Sequence, residues 1–563
     1  MHDLLIRNAR ICDGTGRPIF TGSIAVDAGR IAQVGSVEGK AKIEVDAQGL
    51  VLAPGIIDLH THFDAQLTWD PYATPSVGLG VTTVVIGNCG FTIAPCKPQD
   101  RDLTLRNLTH VEGMSLSALR AGVDWSFESY SQYLETLERK GVVPNVASFI
   151  GHSSVRTWVM GPDASKRAAT PEEISQMRTI VADAMRAGAV GFATSTLEQH
   201  NGELGVPMPS RLADESEMFA LTGALAEAGR GVFMLTKGMK TQVPWLEKIA
   251  SNNGRPVMIA AMFVDPNDPD RVFREFDQIS EARSRGNELW GQVGCFPLGM
   301  EFSLAHPYPL EALMAWRPAI EAGEGARYRQ LLADPGFREQ VKAEAKTRGV
   351  PNRFSYHSLE HMRLKEPVKA ANAVYSDKTV AQWAREADRD PFDWLLDFVL
   401  DGELDALWEC QLFNTDEDRV AKLLARNDAA VTLSDAGAHL SFLCDAGFGL
   451  HLFGHWARDL GALRLEDAVA SVTSRAADIY RIKDRGRLCK GAWADMILFD
   501  PETVGRGPKR RVHDLPTGAS RVDTQAVGLH GVWINGTQVA DVSGPIQLSN
   551  MPGSVLREFS DPH

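Results

Sequence analysis

The sequence predicts an α/β protein: a TIM-type (β/α)8 barrel with a small β domain contributed by both chain termini. Three observations carry this expectation. From residue 54 to about 295, short apolar runs alternate with longer amphipathic stretches, the pattern of βα units and a parallel sheet. Eight such runs are present, and eight parallel strands imply a closed barrel whose strands, buried on both faces, read as continuous apolar segments. The opening and closing stretches of the chain share one pattern of short strands and turns, so one β domain built from both is the economical reading.

The elements follow in order. Leu4, Ile6 and the run 9–11 form an apolar strand that ends at Asp13-Gly14. The runs 23–26 and 30–34 flank Asp27-Ala28-Gly29, a hairpin-type turn signal. Ile43, Val45 and Leu50-Val51-Leu52 continue the strands. The expected barrel strands are 55–60, 82–87, 146–150, 189–193, 231–236, 256–262, 289–293 and 429–433. Helices fill the gaps, as at 171–187, where Thr170 is an N-cap followed by Pro171, Glu172 and Glu173 in the first turn, and at 213–228. A long helical insertion, about 298–428, separates strands seven and eight, with helices expected at 326–349 and 380–401. It is too long and apolar for a simple loop. It reads either as a packed excursion supporting the barrel or an oligomer interface, or as a cover over the barrel mouth. The tail returns to strands at 496–500, 527–532 and 538–539. The expected domains are 1–53 with 483–563, and 54–482 including the insertion.

Composition bounds the function. The chain has 563 residues, 44% hydrophobic and 23% charged, which excludes a disordered, collagen-like or coiled-coil protein. A net charge of −14 argues against nucleic acid and anionic membranes as partners. Seven cysteines, an odd count without regular spacing, fit a reducing compartment better than a disulfide framework. The opening MHDLLIRNARICDG has no basic leader, and no apolar run approaches the roughly 20 residues of a membrane span. A soluble, cytoplasmic homo-oligomer acting on a small-molecule substrate is expected.

The chemistry concentrates at strand ends. In Asp58-Leu59-His60-Thr61-His62, alternation along a strand puts His60 and His62 on one side, at the barrel mouth where active sites form. Two imidazoles there are half of a zinc-type site, or else two hydrogen-bonded structural histidines. In Leu433-Ser434-Asp435-Ala436-Gly437-Ala438-His439, after the eighth strand, barrel closure brings Asp435 beside the first strand. Asp435 reads as a metal ligand that also takes a proton from water, or as a helix cap. In Gly87-Asn88-Cys89-Gly90, Cys89 is either a soft ligand or an inert buried thiol.

Together these segments resemble the amidohydrolase superfamily, and within it the N-acyl-D-amino-acid deacylase (D-aminoacylase-like) branch. The resemblance rests on GIIDLHTHFDAQ with WDP, GVTTVVIGNCGFTIAP, FIGHSSVR, AGAVGFATST, LSDAGAH and GRLCKGAWADMILFDP, and it covers nearly the whole chain apart from much of the insertion. It implies a urease-like β domain and cleavage of an amide carbon–nitrogen bond by metal-activated water. It implies His60, His62 and Cys89 as metal ligands and Asp435 as the catalytic aspartate. The branch also expects a histidine at the end of strand five and another at the end of strand six. This chain has Thr236-Lys237 and Ala260-Ala261-Met262 there. One zinc ion is therefore expected, and a second is doubtful.

Lys237 reads as a carbamate ligand, a neutral base or a cation for a substrate carboxylate, with the last two preferred. His152, after strand three, His439 and Ser195, at the end of strand four, are expected to contact substrate. Thr196 is a further candidate donor, and His200 reads more readily as a loop-packing residue. The reading is a metal-dependent hydrolase of a small N-acyl amino acid or related amide, with Asp435 and Lys237 as catalytic residues. A non-hydrolytic relative (decarboxylase, hydratase or isomerase) and a non-catalytic assembly protein are the alternatives.

Overall fold

A computed structural model describes residues 1–111, 113–202, 205–323, 325–347, 354–440 and 444–559. The chain divides into two compact units: residues 1–262, 276–295 and 421–563 form the first, and 263–275 with 296–420 the second.

The first unit contains the barrel. Its parallel strands are Ile56–Asp58, Val81–Ile86, Asn145–Gly151, Gly191–Ser195, Val232–Thr236, Val257–Ala260, Leu289–Val293 and Ala429–Val431, paired in that order. Each lies within two residues of its expected bounds. Strand eight returns to strand one through a parallel bridge between Thr61 and Ala436. There the His62 N–H donates to the Ala436 carbonyl at 2.7 Å, and the Leu59 N–H to Thr432 Oγ1 at 2.9 Å. Closure removes the sheet edges that an open parallel sheet would expose. Local signals set the helices. Thr170 accepts from the Glu173 N–H, the Glu173 carboxylate accepts from the Thr170 N–H, and Pro171 opens the helix Pro171–Ala187, which Gly188 ends at φ 107°.

The same unit holds a nine-stranded sheet built from both ends of the chain. Phe20–Asp27 and Arg30–Gly35 form a hairpin whose turn residues Ala28 and Gly29 both have positive φ, as a type I′ turn requires. Met496–Phe499 inserts between Val51–Pro54 and Leu529–Ile534, antiparallel to both. Ile6, Ile11, Ile24 and Leu52 pack with Met496, Leu498 and Trp533 in one core.

The second unit corrects the expectation of a helical insertion, because it is mixed. Leu298–Phe302, Leu407–Phe413 and Met362–Glu366 make an antiparallel sheet with Leu407–Phe413 in the centre. Both expected long helices are broken in two. Ala326–Ala333 and Pro335–Lys346 part at Asp334, which caps the second helix, and residues 348–349 lie outside the described residues. Val380–Glu386 and Pro391–Leu400 part where Asp388 turns to φ 51° and where the Asp390 carboxylate caps the second helix, accepting from the Phe392 and Asp393 N–H groups. In each case a proline lacks the N–H that would continue the ladder and drives the preceding residue out of the helical region. Trp316, Phe337, Phe392, Leu395 and Trp408 give this unit its own core. No helix among the described residues is long and apolar enough to cross a membrane.

Candidate metal centre

The ends of strands one, two and eight meet. His60 and His62 flank the bridged Thr61, so both rings leave the chain on the same side. Cys89 Sγ lies 3.5 Å from His60 Nε2 and 4.0 Å from His62 Nε2. The Asp435 carboxylate lies 3.2 Å from His60 Nε2 and 3.5 Å from His62 Nε2. All three of His60, His62 and Cys89 are buried, and their ligand atoms fall within 4.8 Å of one another.

These separations fit a cation. Zinc bond lengths of about 2.0–2.1 Å to nitrogen and 2.3 Å to sulfur put tetrahedral ligands roughly 3.3–3.6 Å apart. Three of the four separations lie within about 0.1 Å of that range, and the sulfur to His62 is the longer one. The donors, two imidazole nitrogens and a thiol with a carboxylate beside them, suit zinc chemically.

The surroundings prepare these groups. His60 Nδ1 donates to Gln292 Oε1 at 2.7 Å, which leaves the Nε2 lone pair facing the cluster. The Gln292 amide in turn donates to the Tyr480 hydroxyl at 3.4 Å. Burial would raise the Cys89 thiol, but His60 and His62 beside it outweigh that and lower it, favouring thiolate. Burial likewise opposes ionisation of Asp435, and the same two histidines with His439 hold its carboxyl well below the usual range. Asp58, fully buried, accepts from the Ser434 and Thr432 hydroxyls and so ties strand one to the Asp435 loop. Burial pushes its carboxyl up to about 6.

Close backbone contact explains the two loop motifs. A Cβ on Gly437 (φ 90°) would sit 2.6 Å from the His62 carbonyl carbon, and one on Gly90 (φ 75°) 2.6 Å from the Ala193 oxygen. Cys89, Leu433, Asp435 and His439 also have positive φ, at 56°, 77°, 48° and 54°. Such backbone costs on the order of 1–3 kcal/mol per residue and persists where surrounding structure enforces it, typically at functional sites.

The structure shows what the other expected contact residues touch. His152 does not open to the mouth. It is fully buried, with Nδ1 accepting from Thr194 Oγ1 at 2.8 Å and Nε2 donating to Glu217 Oε1 at 2.7 Å. Glu217 also pairs with the buried Arg156, so this is a structural network behind the strands. Ser195 is buried too, and its hydroxyl is engaged by His200 Nδ1 at 2.6 Å and by the Leu197 N–H at 3.2 Å. His200 is held between strand four and the cysteine loop, its Nδ1 2.6 Å from Ser195 Oγ and its ring edge-on to Phe91, two residues beyond Cys89. Lys237 is half-buried, with Nζ 3.5 Å from Gln242 Oε1. Its neighbour Thr236 supplies the contact to the cluster, a hydroxyl 3.1 Å from Cys89 Sγ.

The sequence pattern of the amidohydrolase family matches residues 44–540. The chain belongs to the amidohydrolase family. This amidohydrolase is 28% identical over 557 residues to the D-aminoacylase of Alcaligenes xylosoxydans xylosoxydans, covering 95% of this chain and 94% of that one. It is 26% identical over 572 residues to the N-acyl-D-aspartate deacylase of the same organism, covering 98% and 95%. Its fold is that of the N-acyl-D-glutamate deacylase of Bordetella bronchiseptica, solved with zinc and a phosphonate mimic of the tetrahedral intermediate. The TM-score is 0.68 at 24% identity, over 99% of this chain and 100% of that one.

Removing the support behind His60 tests how far the amidohydrolase's centre depends on it. Gln292→Met should weaken zinc binding by about 10–100-fold, the usual effect of losing a hydrogen bond behind a ligating histidine. Competition against a chromogenic chelator measures this. Unchanged affinity would mean that Gln292 does not orient the ring.

Proposed function

We propose that the protein is a metal-dependent hydrolase that cleaves the amide bond of a small N-acyl amino acid. The convergence of His60, His62 and Cys89 with the Asp435 carboxylate supports this most directly. The named activities of the full-length relatives point to the same substrate class. In this reading His60, His62, Cys89 and Asp435 hold one zinc ion.

When bound, such an ion supplies a Lewis acid and a water acidic enough to lose its proton near neutral pH. The chain's residues do the rest. The ionised Asp435 accepts the proton from the attacking water and hands it to the leaving amine, which cannot depart as an anion. Lys237 and His439, from the ends of strands five and eight, place the substrate's carboxylate. Lys237 acts here as a cation rather than as a ligand.

Elemental analysis of protein purified without added metal, combined with hydrolysis of paired N-acetyl-D- and N-acetyl-L-amino acids, tests the reading. We expect about one zinc per chain and release of free amine, with 18O from labelled water appearing in the carboxylate. Full activity in a His60→Ala, His62→Ala double variant would rule the metal mechanism out.

A further inference from the structure

We propose that His200 is a further catalytic residue: its Nε2–H donates a hydrogen bond to the carbonyl oxygen of the scissile amide as that oxygen gains negative charge. This rests on the hydrolytic reading above and adds a residue that sequence position had left among loop-packing histidines.

The proton's position follows from Ser195. This serine ends strand four and is completely buried. Among the described residues its hydroxyl has two partners, the Leu197 N–H at 3.2 Å and His200 Nδ1 at 2.6 Å. A backbone N–H can only donate, so the acceptor for the Ser195 proton is His200 Nδ1. A buried hydroxyl without an acceptor would be costly. With Nδ1 accepting, the single proton of the neutral ring resides on Nε2.

The ring's direction is fixed as well. It packs edge-on against Phe91, with centroids 5.0 Å apart, and Phe91 follows Cys89 by two residues. The His200 carbonyl accepts from the Met208 N–H at 3.2 Å and from Arg211 at 3.3 Å, which holds the loop. Ser195 and Phe91 thus anchor the ring between strand four and the cysteine loop, at the end of the barrel where the cluster lies. The edge carrying Nε2 makes no hydrogen bond among the described residues. As a neutral donor the ring leaves the proton transfer to Asp435.

A donor fixed in advance beside the site of developing charge is worth about 10²–10³-fold in kcat. In the zinc-loaded enzyme, His200→Ala should lower kcat by that factor, change KM only a few-fold and leave zinc content unchanged. Binding of a phosphonate analogue of an N-acyl amino acid, measured by calorimetry, should weaken in parallel. His200→Gln, which keeps a donor, should recover part of the loss. Ser195→Ala, which removes a positioning hydroxyl, should give a smaller loss that Ser195→Thr restores.

Wild-type kcat and phosphonate binding in His200→Ala would overturn the proposal while leaving the hydrolytic reading intact. So would a rise in KM alone, which would make His200 an anchor for the substrate carboxylate, or loss of zinc, which would make it a ligand. A wild-type enzyme that neither hydrolyses N-acyl amino acids nor binds the phosphonate would remove both readings together.

Discussion

Replacing Asp435 with asparagine should lower kcat by about 10²–10⁴-fold, the range attributed to a positioned general acid or base. The carboxylate sits against both histidine nitrogens, 3.2 and 3.5 Å away, and their field keeps it ionised despite burial. In the proposed mechanism this carboxylate accepts the proton of the attacking water. Asparagine keeps the shape and an oxygen that can point the same way, but its amide is not a base. Because His60, His62 and Cys89 remain, zinc should still bind when supplied in excess. Single-turnover kinetics with metal analysis on the same sample would show this. An Asp435→Asn enzyme with zinc bound and kcat within tenfold of wild type would assign the proton transfer to another group.

The second large effect concerns stability. Glu217→Leu should destabilise the first unit by about 3–5 kcal/mol, because it leaves the Arg156 guanidinium buried without its counter-charge. His152 loses the acceptor of its Nε2–H at the same time. Pairing Glu217→Leu with Arg156→Met should recover much of the loss, since a buried ion pair replaced on both sides by apolar groups is often close to neutral. Denaturant midpoints of the two single variants and the double variant decide this. Equal midpoints for wild type and Glu217→Leu would show that the network contributes little.

The network also has a pH signature. Burial lowers His152 from its usual 6.5, and Glu217 lies below its usual 4.5 because His152 and Arg156 outweigh the effect of its burial. Both groups bind protons more readily unfolded than folded. Their contribution is full above about pH 6.5 and is lost on acidification, first through His152 and then through Glu217.

The barrel was legible because its strands are buried on both faces and so read as uninterrupted apolar runs. His60, His62 and Asp435 were legible because closure of an eight-stranded barrel makes the ends of strands one and eight neighbours whatever lies between. Gln292 carries a signal of its own, a lone amide in the apolar run Leu289-Trp290-Gly291-Gln292-Val293. Glu217 carried another, a carboxylate sharing a helix face with Leu221 and Ala224, all three buried. The insertion's central strand was readable too, since Trp408, Cys410 and Leu412 alternate with polar or half-exposed residues.

His152 and His200 show where such reading stops. Both follow a strand end at the barrel mouth. What each ring touches depends on a partner 65 residues away for His152 and five residues away for His200. Strand position alone does not rank them.

The shared terminal sheet and the barrel closure also govern when the molecule can become itself. Asp58 and Ser434, which lock strand one to strand eight, are 376 residues apart in sequence, and Leu52 meets Leu498 across a still longer interval. At a ribosome adding some 5–20 residues per second, the apolar faces of Leu4, Ile6 and Ile11 wait tens of seconds for their partners. The side chains of the proposed centre likewise come together only after Asp435 has emerged. Pairings this remote in sequence form late and slowly, so the nascent chain, more than the finished enzyme, is the form exposed to aggregation and to chaperones.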